Sequence, residues 1–174
     1  MSLRRASLSA LALTVVGLLA VPAGAPAAFS VATQASPSFG LALDGTDQTG
    51  VSALVVRVTQ TDAGANGKTG WNLTIDSTPL QSAGGARLAP DATSLVSSGY
   101  TCAVGPCTNP TNTVAPVPIP AGSPPPAAVK VFNAARNTGL GVFDLFENLQ
   151  TSVRANADAG TYTSTMTVAL VRGP

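Results

Sequence analysis

Tyr162-Thr-Ser-Thr-Met-Thr-Val-Ala-Leu-Val-Arg-Gly-Pro174 decides how the rest of this chain is read. Tyr162, Ser164, Met166, Val168 and Leu170 fall on one side of a two-residue alternation, and Thr161, Thr163, Thr165 and Thr167 fall on the other. Successive side chains of a β-strand point to opposite faces, so the pattern predicts a strand with one face on a core and one in water. At Ala169 and Val171 the second face also turns apolar, which predicts a cover over the end of the strand. Such a strand ties this part of the chain into a sheet.

The same period recurs upstream. Phe29, Val31 and Thr33 alternate, as do Phe39, Leu41 and Leu43 beyond Pro37, giving two short strands or one interrupted by a bulge. Leu54, Val56 and Val58 share a side, and Trp71, Leu73 and Ile75 do so after the Gly-rich stretch Asp62–Gly70, which predicts a hairpin. Gly84–Leu88 begins a further strand, Leu95 and Val96 belong to the next, and Val129 and Val131 restart the alternation. Over Leu140–Gln150, Phe143, Phe146 and Gln150 have helical spacing, but Leu149, Thr151 and Val153 return to period two; the segment reads as a strand with a bulge.

Composition agrees with this pattern. Of 174 residues, 17 are Gly and 14 Pro, and only 10% are charged. Abundant β-branched residues and turn formers predict an all-β fold, a single antiparallel β-sandwich or barrel-like domain over residues 28–174. Residues 108–128 hold Pro110, Pro116, Pro118, Pro120, Pro124, Pro125 and Pro126, which exclude a helix or a central strand. That run reads as an extended loop inserted within the domain, with a boundary between two domains as the other reading.

Residues 1–27 carry the layout of a secretory signal peptide. Arg4 and Arg5 precede the uncharged apolar run Ala10–Val21, and Ala25-x-Ala27 supplies small residues for cleavage. The run is shorter than the ~20 residues a membrane-spanning helix needs. No transmembrane segment is expected in the mature chain. Removing Arg4 and Arg5 leaves 7 basic side chains against 8 acidic ones, a net charge of −1, so binding of nucleic acid by bulk charge is not expected.

The chemistry available is narrow. With no histidine, Ser-His and Cys-His nucleophiles are excluded. The acids are Glu147 and seven scattered aspartates, with no spacing that brings two to one bond; a small carbohydrate-active enzyme would need two carboxylates converging in a cleft. Asp44 and Asp47 lie in a turn that lacks the further acidic ligands of a calcium loop, and no other cofactor or metal is implied. Cys102 and Cys107, the only cysteines, read as a disulfide staple across a turn. Adhesion is the function class left, and an enzyme is not expected.

Two stretches resemble the WxL domain of Gram-positive cell-surface proteins. Gly70-Trp71-Asn72-Leu73 matches its first motif, Trp-x-Leu after a glycine turn. Its second motif, Tyr-x-x-x-Leu-Thr-Trp-x-Leu-x-x-x-Pro, is similar to Tyr162, Met166, Thr167, Val168, Leu170 and Pro174, with Met for Leu and Val for Trp. The resemblance implies a secreted, all-β protein held non-covalently at the bacterial cell wall. Peptidoglycan and membrane-anchored WxL-interacting proteins are the partners it implies. Trp71, Leu73, Tyr162, Thr167, Leu170 and Pro174 are the binding positions it transfers. Trp71 has two readings: an indole filling the core beside Leu73 and Ile75, or an indole face stacking on a wall sugar. The rival function is a coat or fibre subunit assembling by β-strand addition.

Overall fold

A computed structural model describes residues 11–12, 28–62 and 68–173. The described residues form β-strands and no α-helix: β1 (Leu11–Ala12), β2 (Phe29–Ala35), β3 (Ser38–Phe39), β4 (Gln48–Gln60), β5 (Trp71–Ser77), β6 (Gln81–Ser82), β7 (Thr93–Thr108), β8 (Val117–Ile119), β9 (Val129–Ala134), β10 (Leu140–Val153), β11 (Tyr162–Thr163) and β12 (Met166–Arg172). The strands pair antiparallel into a five-stranded sheet, β2-β4-β10-β7-β8, and a three-stranded sheet, β12-β5-β9. Two short pairs, β1-β3 and β11-β6, complete the pattern. The expected signal segment lies outside the described residues apart from Leu11–Ala12.

Alternation builds the core. Leu54, Val56 and Val58 of β4, Leu95 of β7, and Phe143, Leu145 and Leu149 of β10 are buried from one sheet. Trp71, Leu73 and Ile75 of β5, Phe132 of β9, and Met166 and Val168 of β12 are buried from the other, in the same cluster. Fully burying one such aliphatic or aromatic side chain contributes about 1.5–3 kcal/mol, so this shared interior holds the two layers of the sandwich together.

Several sequence expectations require correction. β4 and β5 are not a hairpin: β4 pairs with β2 and β10, whereas β5 pairs with β12 and β9. Each strand's apolar face is as expected, but strand length selects the neighbour, with β4 matched along its whole length by β10. Leu41 and Leu43 pack against the core without forming a strand. Gly84–Leu88 is a turn, not a strand. There Gly85 takes φ +89°, and Ser82 and Ala86 close the turn by a backbone hydrogen bond of 2.8 Å.

The final stretch also differs from one continuous strand. β11 and β12 are separated at Ser164–Thr165, which are clasped to Thr78 instead: Thr78 N donates to Thr165 O (2.9 Å) and Thr165 N donates to Thr78 Oγ1 (2.8 Å). Nothing covers the end of β12, since Ala169 is exposed and Val171 is 47% exposed. The Pro-rich run does carry a strand, β8, but at the edge of its sheet, where Pro118 removes no interior ladder bond. β10 is a strand throughout, with register irregularities against β7.

Candidate functional site

The two motif stretches meet as neighbouring strands. Trp71 lies opposite Arg172, Leu73 opposite Leu170, and Asp76 opposite Thr167. Trp71 is fully buried, stacked on Phe132 at 5.6 Å between centroids, and its Nε1 donates to Gly139 O at 2.9 Å. No indole face is left for a sugar, so the stacking reading is corrected in favour of the core. Leu73 is buried, Leu170 half-buried and Thr167 exposed. Val168, at the place of the family's second Trp, points inward opposite Ile75. Pro174 lies outside the described residues.

Glycine positions explain the first motif. Gly70 has φ +79°, and a Cβ there would come within 2.4 Å of Ala134 O. Gly139 has φ +68°, and a Cβ there would lie 2.6 Å from Trp71 Nε1. Only glycine fits at both positions, which flank the indole.

The surface recesses lie elsewhere, around β6 and β11. One, of about 430 Å³, is lined by Arg87, Asp91, Arg154, Asn156, Asp158 and Tyr162 among others. A second, of about 590 Å³, is lined by hydroxyl and amide side chains, including Thr78, Gln81, Ser82, Thr161, Thr163 and Thr165. Arg87 lines both, and its Nε donates to Gln81 Oε1 at 3.2 Å. Tyr162 is the motif residue that builds this region. Its ring is buried and its hydroxyl donates to Asp158 O at 2.9 Å, fixing the loop that walls the first recess. Burial, with the nearby Asp158 charge, pushes the Tyr162 phenol above its usual range.

These recesses offer two guanidiniums, two carboxylates and a row of hydroxyls. They suit a ligand that carries carboxylates, ammonium groups and sugar hydroxyls together. Sequence reading passed over Arg87 because it stands in the segment taken for a strand. The local signal was the turn sequence Ala83-Gly-Gly85 before it.

Other candidate positions are structural. Asp44 Oδ1 accepts hydrogen bonds from Thr46 N (3.0 Å), Thr46 Oγ1 (2.7 Å) and Gln48 Nε2 (2.9 Å), led by the Thr46 hydroxyl in holding its carboxyl below the usual range. Asp47 Oδ1 accepts from Ala155 N at 2.8 Å. Both aspartates thus serve their turns, and no metal-ligand cluster occurs among the described residues. Cys102 and Cys107 form a disulfide near the end of β7. Arg57 and Asp144 make a two-pronged ion pair, both contacts 2.8 Å, on the outer side of the large sheet.

Glu147 was not singled out as a site. It is fully buried in mid-β10, between Leu54 of β4 and Ser98 of β7. The Ser98 hydroxyl donates to Glu147 Oε2, while Oε1 has no hydrogen-bond partner. Burial raises its pKa to about 7 against the opposing pull of the Ser98 hydrogen bond. Its signal in the sequence was an acid on the apolar side of the series Phe143, Leu145, Leu149.

No protein-family model, curated protein or solved structure matches this chain. No helix among the described residues is long and apolar enough to cross a membrane.

Proposed function

We propose that this is a secreted bacterial surface protein that attaches non-covalently to the cell wall, with peptidoglycan as its ligand. The observation that carries the reading is the paired recess around Arg87, where Arg154, Asp91 and Asp158 stand beside a hydroxyl-lined cleft. Peptidoglycan presents sugar hydroxyls together with stem-peptide carboxylates and amines, the groups those side chains bind. The resemblance of Gly70–Leu73 and Tyr162–Pro174 to WxL motifs supports the same function. In this reading Trp71, Leu73 and Tyr162 position the surface, and the wall contact falls to side chains outside the motifs. Membrane-anchored WxL-interacting proteins are the protein partners that the resemblance suggests.

The test is retention of the protein on purified peptidoglycan, for wild type and for an Arg87→Ala/Arg154→Ala variant with an unchanged circular dichroism spectrum. A charge-assisted hydrogen bond contributes about 1.5–3 kcal/mol, so the variant should bind at least ~10-fold more weakly. Equal retention of both would remove the recess from the site. No retention of wild type would sink the wall-binding reading itself.

A further inference from the structure

β8 is only three residues long and covers β7 only at Thr93–Leu95. Val96 is the extra residue of a bulge, because Leu95 pairs with Leu149 and Ser97 with the adjacent Asn148. The bulge turns β7 away from β8. From Ser97 to Thr101 β7 pairs regularly with β10 on one side, and among the described residues no strand pairs with its other side. Ser97, Tyr100 and Thr101 are exposed there.

A free strand edge presents unpaired N–H and C=O groups, and proteins that stay monomeric blunt such edges with lysine, proline or a covering segment. The sixteen residues of β7 contain no charge. The blunting features stand at both ends of the open stretch instead. Pro118 lies in β8, and the Cys102–Cys107 disulfide with Pro106 closes the far end. What remains open is about 17 Å of regular strand, at ~3.4 Å per residue.

We infer that this edge pairs with the same edge of a second copy of the chain, in an antiparallel contact with a two-fold axis through Gly99. That register sets Gly99 against Gly99, Ser98 against Tyr100, and Ser97 against Thr101, with no charge facing a like charge. Space beside Gly99 is open, since a Cβ there would meet nothing within 4 Å. Tyr100, which meets Phe132 and Phe143 edge-on, would lose its remaining 37% exposure to the second copy. The two five-stranded sheets become one sheet of ten strands.

A self-complementary contact of this kind closes on itself and consumes the edge. The opposite side of the large sheet is unlike it: β2 runs beside β12, where the Arg172 guanidinium lies 4.1 Å from the centroid of the Phe29 ring. The assembly is therefore a dimer, not a fibre. This inference rests on the strand edge alone and is independent of the wall-binding reading.

Sedimentation velocity without cell wall tests it, over protein concentrations from about 1 to 300 μM. Wild type should show a monomer–dimer equilibrium. Ser97→Lys/Thr101→Lys sets lysine against lysine twice across the axis and should weaken the dimer at least ~10-fold. Ser97→Glu/Thr101→Glu should do the same, and an equimolar mixture of the two variants should restore the dimer. Circular dichroism checks that each variant is folded, and Ala32→Lys on β2 should leave the dimer unchanged. A wild type that stays monomeric overturns the inference. So does a folded lysine variant that dimerises like wild type, a mixture that does not associate, or growth beyond the dimer.

Discussion

Glu147, the only glutamate in the chain, faces an interior of hydrocarbon, and its one polar neighbour has a choice to make. The Ser98 hydroxyl stands between Glu147 Oε2 and the Val131 carbonyl of the other sheet, the latter at 3.4 Å, and it has a single hydrogen to give. When Glu147 is protonated, its own O–H can donate to Ser98 and free the serine hydrogen for Val131. When Glu147 is ionised, the serine hydrogen goes to the carboxylate and the link between sheets is lost. The folded-state pKa of about 7 lies above the ordinary value of 4.5, so this group's contribution is complete below about pH 4.5 and is lost as pH rises through 7. At ~1.36 kcal/mol per unit, the fall is about 3 kcal/mol. Urea denaturation between pH 4 and 8 should show that decline in wild type and a nearly flat profile in Glu147→Gln. A wild-type profile as flat as that of the variant would contradict the assignment. Asp44 and Asp144, whose carboxyls are held below 3.8, act in the opposite sense and only at lower pH. Which way each side chain points was legible in the sequence, because alternation fixes it: Trp71 inward with Leu73, and Thr167 outward. That Glu147 is buried with an unpartnered oxygen was not legible, since period two does not say what waits across the core.

At the scale of elements, β10 shows how far a pattern can be trusted. Phe143 and Phe146 have helical spacing, yet they lie on opposite faces of a strand, and the β-period of Leu149, Thr151 and Val153 is the signal that holds. Pairing is a different matter. β4 and β5 follow one another and both end in turn residues, but their partners, β10 and β12, lie far along the chain. Local sequence encodes the face of a strand, and long-range length matching encodes its neighbour. β8 was missed for a similar reason: a proline-rich run is compatible with a strand when its sheet ends there. The Cys102–Cys107 staple was readable from compartment and spacing, and its position at the end of a long uncharged strand gives it a measurable role. Closing so short a loop stabilises by about 2 kcal/mol on the chain-entropy model. Cys102→Ser/Cys107→Ser should therefore lower Tm by about 4–8 °C with the far-ultraviolet spectrum retained. An unchanged Tm would mean that the end of β7 is held without the bond.

For the whole molecule, one interior serves two sheets, and the probes for them are separate. Trp71 is the only tryptophan and reports on the three-stranded sheet, whereas most strand residues, and so most of the far-ultraviolet signal, belong to the five-stranded sheet. Because Trp71, Leu73, Phe143 and Leu145 belong to one buried cluster, neither layer keeps its core without the other. Fluorescence and circular dichroism should give superimposable urea transitions. A fluorescence midpoint lower by more than about 0.3 M would show that β12-β5-β9 detaches first, and the single-domain reading would need revision. The all-β class was legible from composition and period. The location of the recess around Arg87 was not, because three distant turns build it and only the fold brings them together.

The contact between Arg172 and Phe29 carries a last consequence. The first residue of β2 and the last of β12 touch, so chain enters and leaves the sandwich at one corner. A domain with that geometry can be spliced as a cassette into a loop of another protein without prising the host apart. It should also accept a linker joining the two ends, with new ends opened at an exposed turn such as Gly84–Gly85.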